Sequence, residues 1–481
     1  MDAFGWGWGY RIPMSRIVIM GGGPAGYEAA LVAAQHGADV TVVERDGMGG
    51  ACVLDDCVPS KTLISSAGIR TELRRAGDLG IEADVHSARV DLVAINRRVS
   101  GLAKAQSADV RARLQGEGVR LITGTACFSA ETSRTRAPHR IAVTPAEGEP
   151  EELPADVVLV ATGATPRVLP DAVPDGERIL TWRQIYDLEA LPEHLIVVGS
   201  GVTGAEFVSA YTELGTKVTL VSSRDRVLPG EDADAAAVLE DVFAERGVTI
   251  LPRTRAESVR REGDGVVVTL ADGSEVTGSH ALMTVGSVPN TVELGLDRAG
   301  VTLDKGGFVV VDRVSRTNAP GIYAAGDCTG LLMLASVAAM QGRIAMWHAL
   351  GEGVMPIKLK TVAAAVFTRP EVATVGISQA AIDAGEVPAR TVMLPLGTNP
   401  RAKMQGLRKG FVKLFCRPAT GVVIGGVIVA PVASELILPI AMAVQNNLTV
   451  DDLATTFSVY PSQTGSITEA ARQLMRHGDL D

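Results

Sequence analysis

The sequence predicts an α/β protein: two doubly wound modules, each built on a parallel sheet, followed by a smaller α+β domain. Three observations carry this. A strand, glycine turn, helix and strand open the chain at Arg16. The same unit returns about 180 residues later at Leu195. From about Val362 the pattern changes to Val/Ile-rich strands alternating with helices. A length of 481 residues accommodates about three domains.

Arg16–Met20 is a short apolar run suited to a buried strand, and Gly21-Gly-Gly-Pro-Ala-Gly26 follows at once. Tyr27 to His36 reads as an Ala-rich helix and Val40 to Glu44 as the next strand. The three spaced glycines have separate jobs. Gly21 lets the chain turn sharply, Gly23 lets backbone approach a pyrophosphate, and Gly26 lets helix pack on strand. Phosphates then sit on the helix N-terminus, where unpaired N–H groups and the dipole favour anions. Glu44 stands 23 residues after Gly21, at the end of the second strand, where a carboxylate takes ribose hydroxyls.

In the second unit Leu195 to Val198 is the strand, Gly199-Ser-Gly-Val-Thr-Gly204 the turn, Ala205 to Leu214 the helix and Lys217 to Val221 the next strand. Gly199, Gly201 and Gly204 repeat the spacing, but the acid is missing: Val221 is followed by Ser222, Ser223 and Arg224. With no carboxylate to repel it, a 2′-phosphate is accepted and Arg224 can pair with it, unless Arg224 is simply a solvated loop residue. The expected nucleotide is NADPH, with NADH also tolerated.

Between the units lie a helical, Arg-rich stretch (Ile64 to Gly116) and short strands at Val119 to Cys127 and Arg140 to Val143. Asp156 to Ala161 is a strand ending in Thr162-Gly163, and Ala281 to Val285 then Gly286 closes the second module. The last part holds strands Ala363 to Phe367, Gly410 to Cys416 and Val422 to Ala430, with helices Ser434 to Asn446 and Ser466 to His477.

The net charge of −10, with no basic cluster interleaved with aromatics, argues against a nucleic-acid partner. Gly at 52 residues asks for many turns or close backbone approaches, and aromatics at 4% ask for an aliphatic core. The longest uncharged run, Pro418 to Ser434, is broken by Gly425, Gly426 and Pro431, so no transmembrane segment is expected. Residues 1–13 lack an apolar signal core and read as an upstream extension, which makes a cytoplasmic protein the expectation.

Five cysteines, an odd and sparse count, argue against a disulfide framework and toward redox or metal chemistry. Cys52 and Cys57 lie five apart in Gly49-Gly-Ala-Cys-Val-Leu-Asp-Asp-Cys-Val-Pro-Ser-Lys61. They are either a dithiol beside a redox cofactor or two small residues lining a pocket. In a regular helix this spacing exceeds the ~7 Å Cα separation of a disulfide, so a bond would need a non-helical start here.

The chain resembles the flavoprotein disulfide reductases, and most of all their dihydrolipoamide dehydrogenase branch, over essentially all of its length after Met14. The resemblance rests on Gly21 to Gly26, Cys52 to Lys61, Ala161-Thr-Gly163, Gly199 to Glu206, Val285 to Asn290, Ala324-Ala-Gly-Asp327 and Phe367 to Gly376. It implies two Rossmann-like domains, FAD- and NAD(P)-binding, and a C-terminal α+β dimerisation domain, hence a homodimer. The implied boundaries are 1–13 for the extension, 14–164 and 287–354 for the FAD domain, 165–286 for the NAD(P) domain and 355–481 for dimerisation. FAD contacts would come from Gly50 and Ala51, from Ala126, Thr162 and Gly163, and from Gly326, Asp327, Leu334 and Ala335. Gly286 would line the nicotinamide nucleotide. Cys52 and Cys57 would be the redox pair. Lys61 and Glu206 match a family pair near the flavin N5, the Lys stabilising negative charge and the Glu orienting it.

Two departures redirect the function. Disulfide-reducing members carry His-Pro-Thr-x-x-Glu near the C-terminus, where the His is the acid/base; here the stretch is Tyr460-Pro-Ser-Gln-Thr-Gly465. Tyr, with an ordinary pKa of ~10, is a poor base near neutrality. The next acid, Glu469, is four residues on, and none of the seven histidines lies in this slot. A family Gly before the second Cys is replaced by Asp55-Asp56, and carboxylates there oppose a thiolate. Losing the base costs ~10²–10⁴-fold, which demotes lipoamide. The expected function is therefore an FAD-dependent NAD(P)H:quinone oxidoreductase with no metal, in which Tyr460 lines the pocket for a flat small-molecule quinone. The runner-up is a dihydrolipoamide dehydrogenase using Cys52 and Cys57 with its base supplied from elsewhere. A third reading is a non-catalytic flavin-bound subunit of a 2-oxo-acid dehydrogenase complex.

Overall fold

A computed structural model describes residues 14–82, 84, 88–129 and 138–475. The extension expected at 1–13, together with His86 and His477, lies outside the described residues. The chain divides into two compact units. One comprises Met1–Asp55, Ala103–Thr165 and Ser287–Ile357; the other comprises Asp56–Leu102, Pro166–Gly286 and Lys358–Asp481. The stretch 56–102, read from sequence as part of segment 14–164, is thus grouped with the second unit.

The first unit is built on a seven-stranded sheet, ordered Ile322–Ala324, Val157–Val160, Arg16–Met20, Asp39–Glu44, Arg120–Phe128, His139–Pro145 and Glu151–Ala155. Arg16–Met20 is parallel to both of its neighbours, Val157–Val160 and Asp39–Glu44. These central strands are apolar runs because both faces of the sheet are covered: the Pro24–Gln35 and Ala335–Ala349 helices pack on one, and the later strands with Leu296, Ala299 and Val309 pack on the other; Ile17, Ile19, Val42, Val158 and Leu159 are fully enclosed. The last three strands form an antiparallel meander. The Pro24–Gln35 helix packs on the Ala335–Ala349 helix through small residues: a Cβ on Gly342 would strike the Ala25 carbonyl. Arg343 Nε meets Glu28 Oε2 at 2.8 Å at the same crossing.

The second unit holds a five-stranded parallel sheet, ordered Thr249–Leu251, Lys217–Val221, His194–Val198, His280–Met283 and Ile179–Thr181. An antiparallel three-stranded sheet follows, formed by Ala256–Glu262, Gly265–Leu270 and Glu275–Gly278. A five-stranded antiparallel sheet closes the chain, in the order Ala363–Val366, Glu371–Gly376, Val423–Ala430, Phe411–Cys416 and Arg390–Pro395. Its centre, Val423–Ala430, is buried at all eight positions. Lys413, in the neighbouring strand, is also buried; its ammonium bonds both carboxylate oxygens of Asp232 at 2.8 Å and reaches Asp234. Asp232 in turn caps the Ala233–Glu245 helix by accepting from the Asp234 and Ala235 amides. A buried ammonium persists only with such partners.

The fold class expected from sequence is the one observed, with shifts at element ends. The Arg-rich stretch is two helices, Cys57–Arg75 and Leu92–Gly116, separated by a 3₁₀ turn at Ala76–Leu79. The single helix expected over Ser434 to Asn446 is two, Ala433–Leu436 and Leu438–Asn446, because Pro439 lacks an N–H and restarts the helix in its first turn. The final helix runs Gly465–Leu474. Among the described residues no helix is long and apolar enough to cross a membrane.

Candidate active site

In the first unit the glycine turn follows Arg16–Met20 directly. A Cβ on Gly21 (φ +109°) would collide with the Ala161 carbonyl, and one on Gly26 with the carbonyl of Gly21. A Cβ on Gly23 would meet nothing within 4 Å. Two glycines are thus required by the protein itself, and the third keeps backbone bare toward open space. Gly23 is the N-cap of the Pro24–Gln35 helix and no side chain caps it. Its first-turn N–H groups are therefore available to an anion, as a dinucleotide's pyrophosphate requires. Glu44 reaches the same turn: Oε2 accepts from the Gly22 amide at 2.6 Å and Oε1 from the Asp46 amide at 2.7 Å.

Gly50 (φ +56°) abuts Gly23, since a Cβ on it would lie 3.0 Å from the Gly23 Cα. Ala51 follows in the Gly50–Leu54 helix and is half-buried, as is Ala126 in Arg120–Phe128. Thr162 Oγ1 donates to the Asn290 carbonyl at 2.7 Å, and Asn290 Nδ2 returns to the Thr162 carbonyl at 2.9 Å. Gly163 (φ +68°) stays open, with nothing near its missing Cβ. Gly326 donates its amide to Gln341 Oε1 at 2.9 Å and leads into half-buried Asp327. Leu334 N-caps the helix that begins at Ala335, again without a capping side chain. The donor set fits a dinucleotide.

The second turn repeats the first. A Cβ on Gly199 would strike Thr284, one on Gly204 would strike the Gly199 carbonyl, and Gly201 faces open space as an uncapped helix N-cap. Gly286 (φ +91°) is equally open and accepts from the Arg167 amide at 2.9 Å. Ser222 is fully buried: its hydroxyl pairs with Ser200 Oγ at 2.7 Å, lacing the turn to the end of Lys217–Val221. Arg224 is exposed.

Lys61 and Glu206, 145 residues apart, meet at 2.9 Å. They come from the Cys57–Arg75 and Val202–Leu214 helices, and Arg70 donates to the Leu214 carbonyl farther along the same pair. Glu206 is 3% exposed and its second oxygen accepts the Phe367 amide at 2.9 Å. The Lys61 ammonium lies 5.0 Å from the centre of the Phe367 ring. Burial works against the charge on Lys61, but Glu206, Cys57 and Asp56 outweigh it and hold its pKa above the ordinary lysine value. The site therefore keeps a fixed cation.

Sequence reasoning missed Tyr186. Its ring lies 6.1 Å from that of Phe207, next to Glu206 in the chain, and its buried hydroxyl has no hydrogen-bond partner among the described residues. Burial first, then Asp56, Tyr211, Glu206 and Cys57, hold this phenol well above its ordinary pKa, so it is a neutral donor. Only an isolated Tyr in a 3₁₀ turn marks it in the sequence. The helical path between the candidate cysteines is broken, as a bond would require: Gly50–Leu54 ends before Asp55, and Cys57 opens the next helix. Burial pushes the Cys328 thiol up to about 12, which makes it inert.

At the C-terminal slot Tyr460 is 82% exposed, with Phe457 and Val459 exposed beside it. Asn399 anchors the segment by donating to the Ser462 carbonyl at 2.9 Å. A Cβ on Gly465 would meet its nearest atom at 3.9 Å, so packing does not demand glycine there. Glu469 is bonded to Arg472 at 2.7 Å and to Gln473 at 2.9 Å; Arg472 first, then Gln473, draws its pKa down to about 2. The described histidines have partners elsewhere: His36 with Glu352, His139 with Phe128, His194 with Thr219, His280 with Arg178 and His348 with Tyr323.

Residues 15–342 match the pyridine nucleotide-disulphide oxidoreductase family and residues 362–471 match its dimerisation domain. The chain belongs to this family. As a pyridine nucleotide-disulphide oxidoreductase it is 67% identical over 471 residues, 97% of this chain and 95% of the relative, to a Mycobacterium tuberculosis protein named NAD(P)H dehydrogenase (quinone). It is 35% identical to the dihydrolipoyl dehydrogenase of Haloferax volcanii, over 96% of each chain. Among solved structures, LpdA from Mycobacterium tuberculosis matches with a TM-score of 0.92 at 66% identity, covering 96% of this chain and 100% of that one. The Cu(II) complex of the HOCl-induced flavoprotein disulfide reductase RclA from Escherichia coli matches at 0.84 and 25% identity, covering 96% of this chain and 100% of that one.

Proposed function

We propose that this oxidoreductase is an FAD-dependent NAD(P)H:quinone reductase working as a homodimer. The observation that carries the reading is the 460–465 segment. Where a disulfide reductase needs a base and its orienting acid, this chain has exposed Tyr460 and Gly465, and the nearby Glu469 is held by Arg472. The relative at 67% identity is named NAD(P)H dehydrogenase (quinone), while the dihydrolipoyl dehydrogenase of Haloferax volcanii is 35% identical.

FAD, when bound, supplies a two-electron carrier between the nicotinamide and the quinone. Gly23 and Gly163 keep backbone open to it, and Glu44 stands at the ribose position of the first turn. Gly201 and Gly286 do the same for the nicotinamide nucleotide, and Arg224 favours NADPH. Lys61, fixed by Glu206, holds positive charge where negative charge develops on reduction. Tyr460 offers an exposed ring on which a flat quinone can stack.

A dihydrolipoamide dehydrogenase is the second reading, favoured by the retention of both Cys52 and Cys57. Turnover of the purified holoenzyme decides: NADPH oxidation with a small quinone beside NADPH oxidation with oxidised lipoamide. Fast quinone and negligible lipoamide turnover is expected. Comparable lipoamide turnover would overturn the quinone reading.

A further inference from the structure

Val221 and Leu251 end neighbouring parallel strands in matched register, and the carboxyl ends of such strands are where nucleotides dock. The loops that follow are laced together. Ser222 donates its amide to the Leu251 carbonyl at 3.0 Å, Thr254 to the Ser222 carbonyl at 2.7 Å, and Arg253 to the Arg224 carbonyl at 2.7 Å. Arg253 thereby lies directly against Arg224. It holds φ at +53°, a left-handed value that a residue with a side chain keeps only when its surroundings impose it, and such residues concentrate at ligand sites. Leu228, at φ +50°, ends the first loop and donates to the Ser200 carbonyl in the glycine turn at 2.8 Å.

The arginines here divide cleanly. Arg226 donates to the carbonyls of Pro229 and Glu231, at 3.3 and 3.2 Å, and so holds its own loop. Arg224 and Arg253 are exposed, and neither guanidinium has a hydrogen-bond or ion-pair partner among the described residues. The buried position after the strand, where a carboxylate would repel phosphate, is Ser222, turned inward onto Ser200. Asp225 is the one acid within 222–228.

We propose that Arg224 and Arg253 together clamp the 2′-phosphate of NADPH, with Arg253 as a second specificity-determining residue. This rests on the NADPH reading above. Two planar guanidiniums from adjacent strand ends bracket a dianion from two directions, which a single loop arginine cannot do. NADH presents nothing to Arg253.

Calorimetric titration of the FAD-loaded protein with 2′,5′-ADP and with 5′-AMP tests this without turnover. The wild type is expected to bind 2′,5′-ADP more tightly. Arg253→Ala weakens 2′,5′-ADP by about tenfold, one charge-assisted contact, and moves 5′-AMP less than about twofold, which also certifies the fold. Arg253→Lys recovers part of the loss. If the wild type prefers 2′,5′-ADP but Arg253→Ala leaves that preference intact, the clamp is wrong and the NADPH reading stands. If the wild type shows no preference, the NADPH reading falls and the clamp with it.

Discussion

Glu206 has both carboxylate oxygens engaged, one by the Lys61 ammonium and one by the Phe367 amide. A buried carboxylate held from two sides cannot swing, so the cation it carries is set by the fold rather than by rotamer choice. Tyr460 is the opposite case: its ring is exposed, and the acid and base of a disulfide reductase are both absent from its segment. That contrast yields a reciprocal experiment. Tyr460→His with Gly465→Glu would restore the base and its orienting acid, and Gly465 has room for the added side chain. The double variant is expected to gain lipoamide turnover by about 10²-fold, the low end of what a general base supplies. Turnover that stays at the wild-type level would show that something else, such as Asp55-Asp56 beside Cys57, blocks the dithiol. Tyr460→His alone should give less than the pair, since an unoriented imidazole is a weaker base.

Each of the two strand–turn–helix units distributes its glycines between fold and ligand. In the first, Gly21 and Gly26 face protein backbone closer than a Cβ permits, whereas Gly23 faces empty space at an uncapped helix start. The two kinds of glycine should therefore fail differently. Gly26→Ala must push the helix off the strand, and is expected to lower the melting temperature of the apoprotein and the yield of folded protein. Gly23→Ala is expected to leave apoprotein melting within about 1 °C, or raise it slightly, because it removes unfolded-state entropy at a conformation alanine can adopt. It should nonetheless release FAD more readily, measured as flavin fluorescence freed on dilution. Equal loss of melting temperature in the two variants would remove the distinction between a structural and a ligand-facing glycine.

At the scale of the molecule, sheets and turns were legible because parallel strands and glycine turns are local patterns: RIVIM before GGGPAG can be little else. The Lys413 ammonium on Asp232 was not legible, because the partners lie 181 residues apart and a lone Lys in a Val/Phe strand carries no local sign of them. The partnership of Arg253 with Arg224 was hidden for the same reason, since strand register alone brings them together. His280 belongs to this hidden class and has a consequence for the whole protein. It sits in the parallel sheet of the second unit, nearly inaccessible, with Arg178 donating to Nε2 at 3.1 Å and Nδ1 meeting Ser279 Oγ at 3.0 Å. Burial first and the Arg178 charge second lower its pKa from 6.5 to about 4, with Asp175 opposing only in part. A base whose folded pKa is depressed is neutral when folded and binds a proton more readily when unfolded. Its stabilising contribution is therefore complete above pH 6.5 and is lost as the pH falls toward 4. The expected loss is on the order of 1 kcal/mol, since solvent screens part of the shift. Urea denaturation of the wild type and of His280→Gln at pH 7.5 and pH 5 isolates the effect, because carboxylate titrations are common to both. The wild type should lose more stability than the variant over that interval. Equal losses would mean that His280 charges freely in the fold and that the sheet opens to admit water beside it.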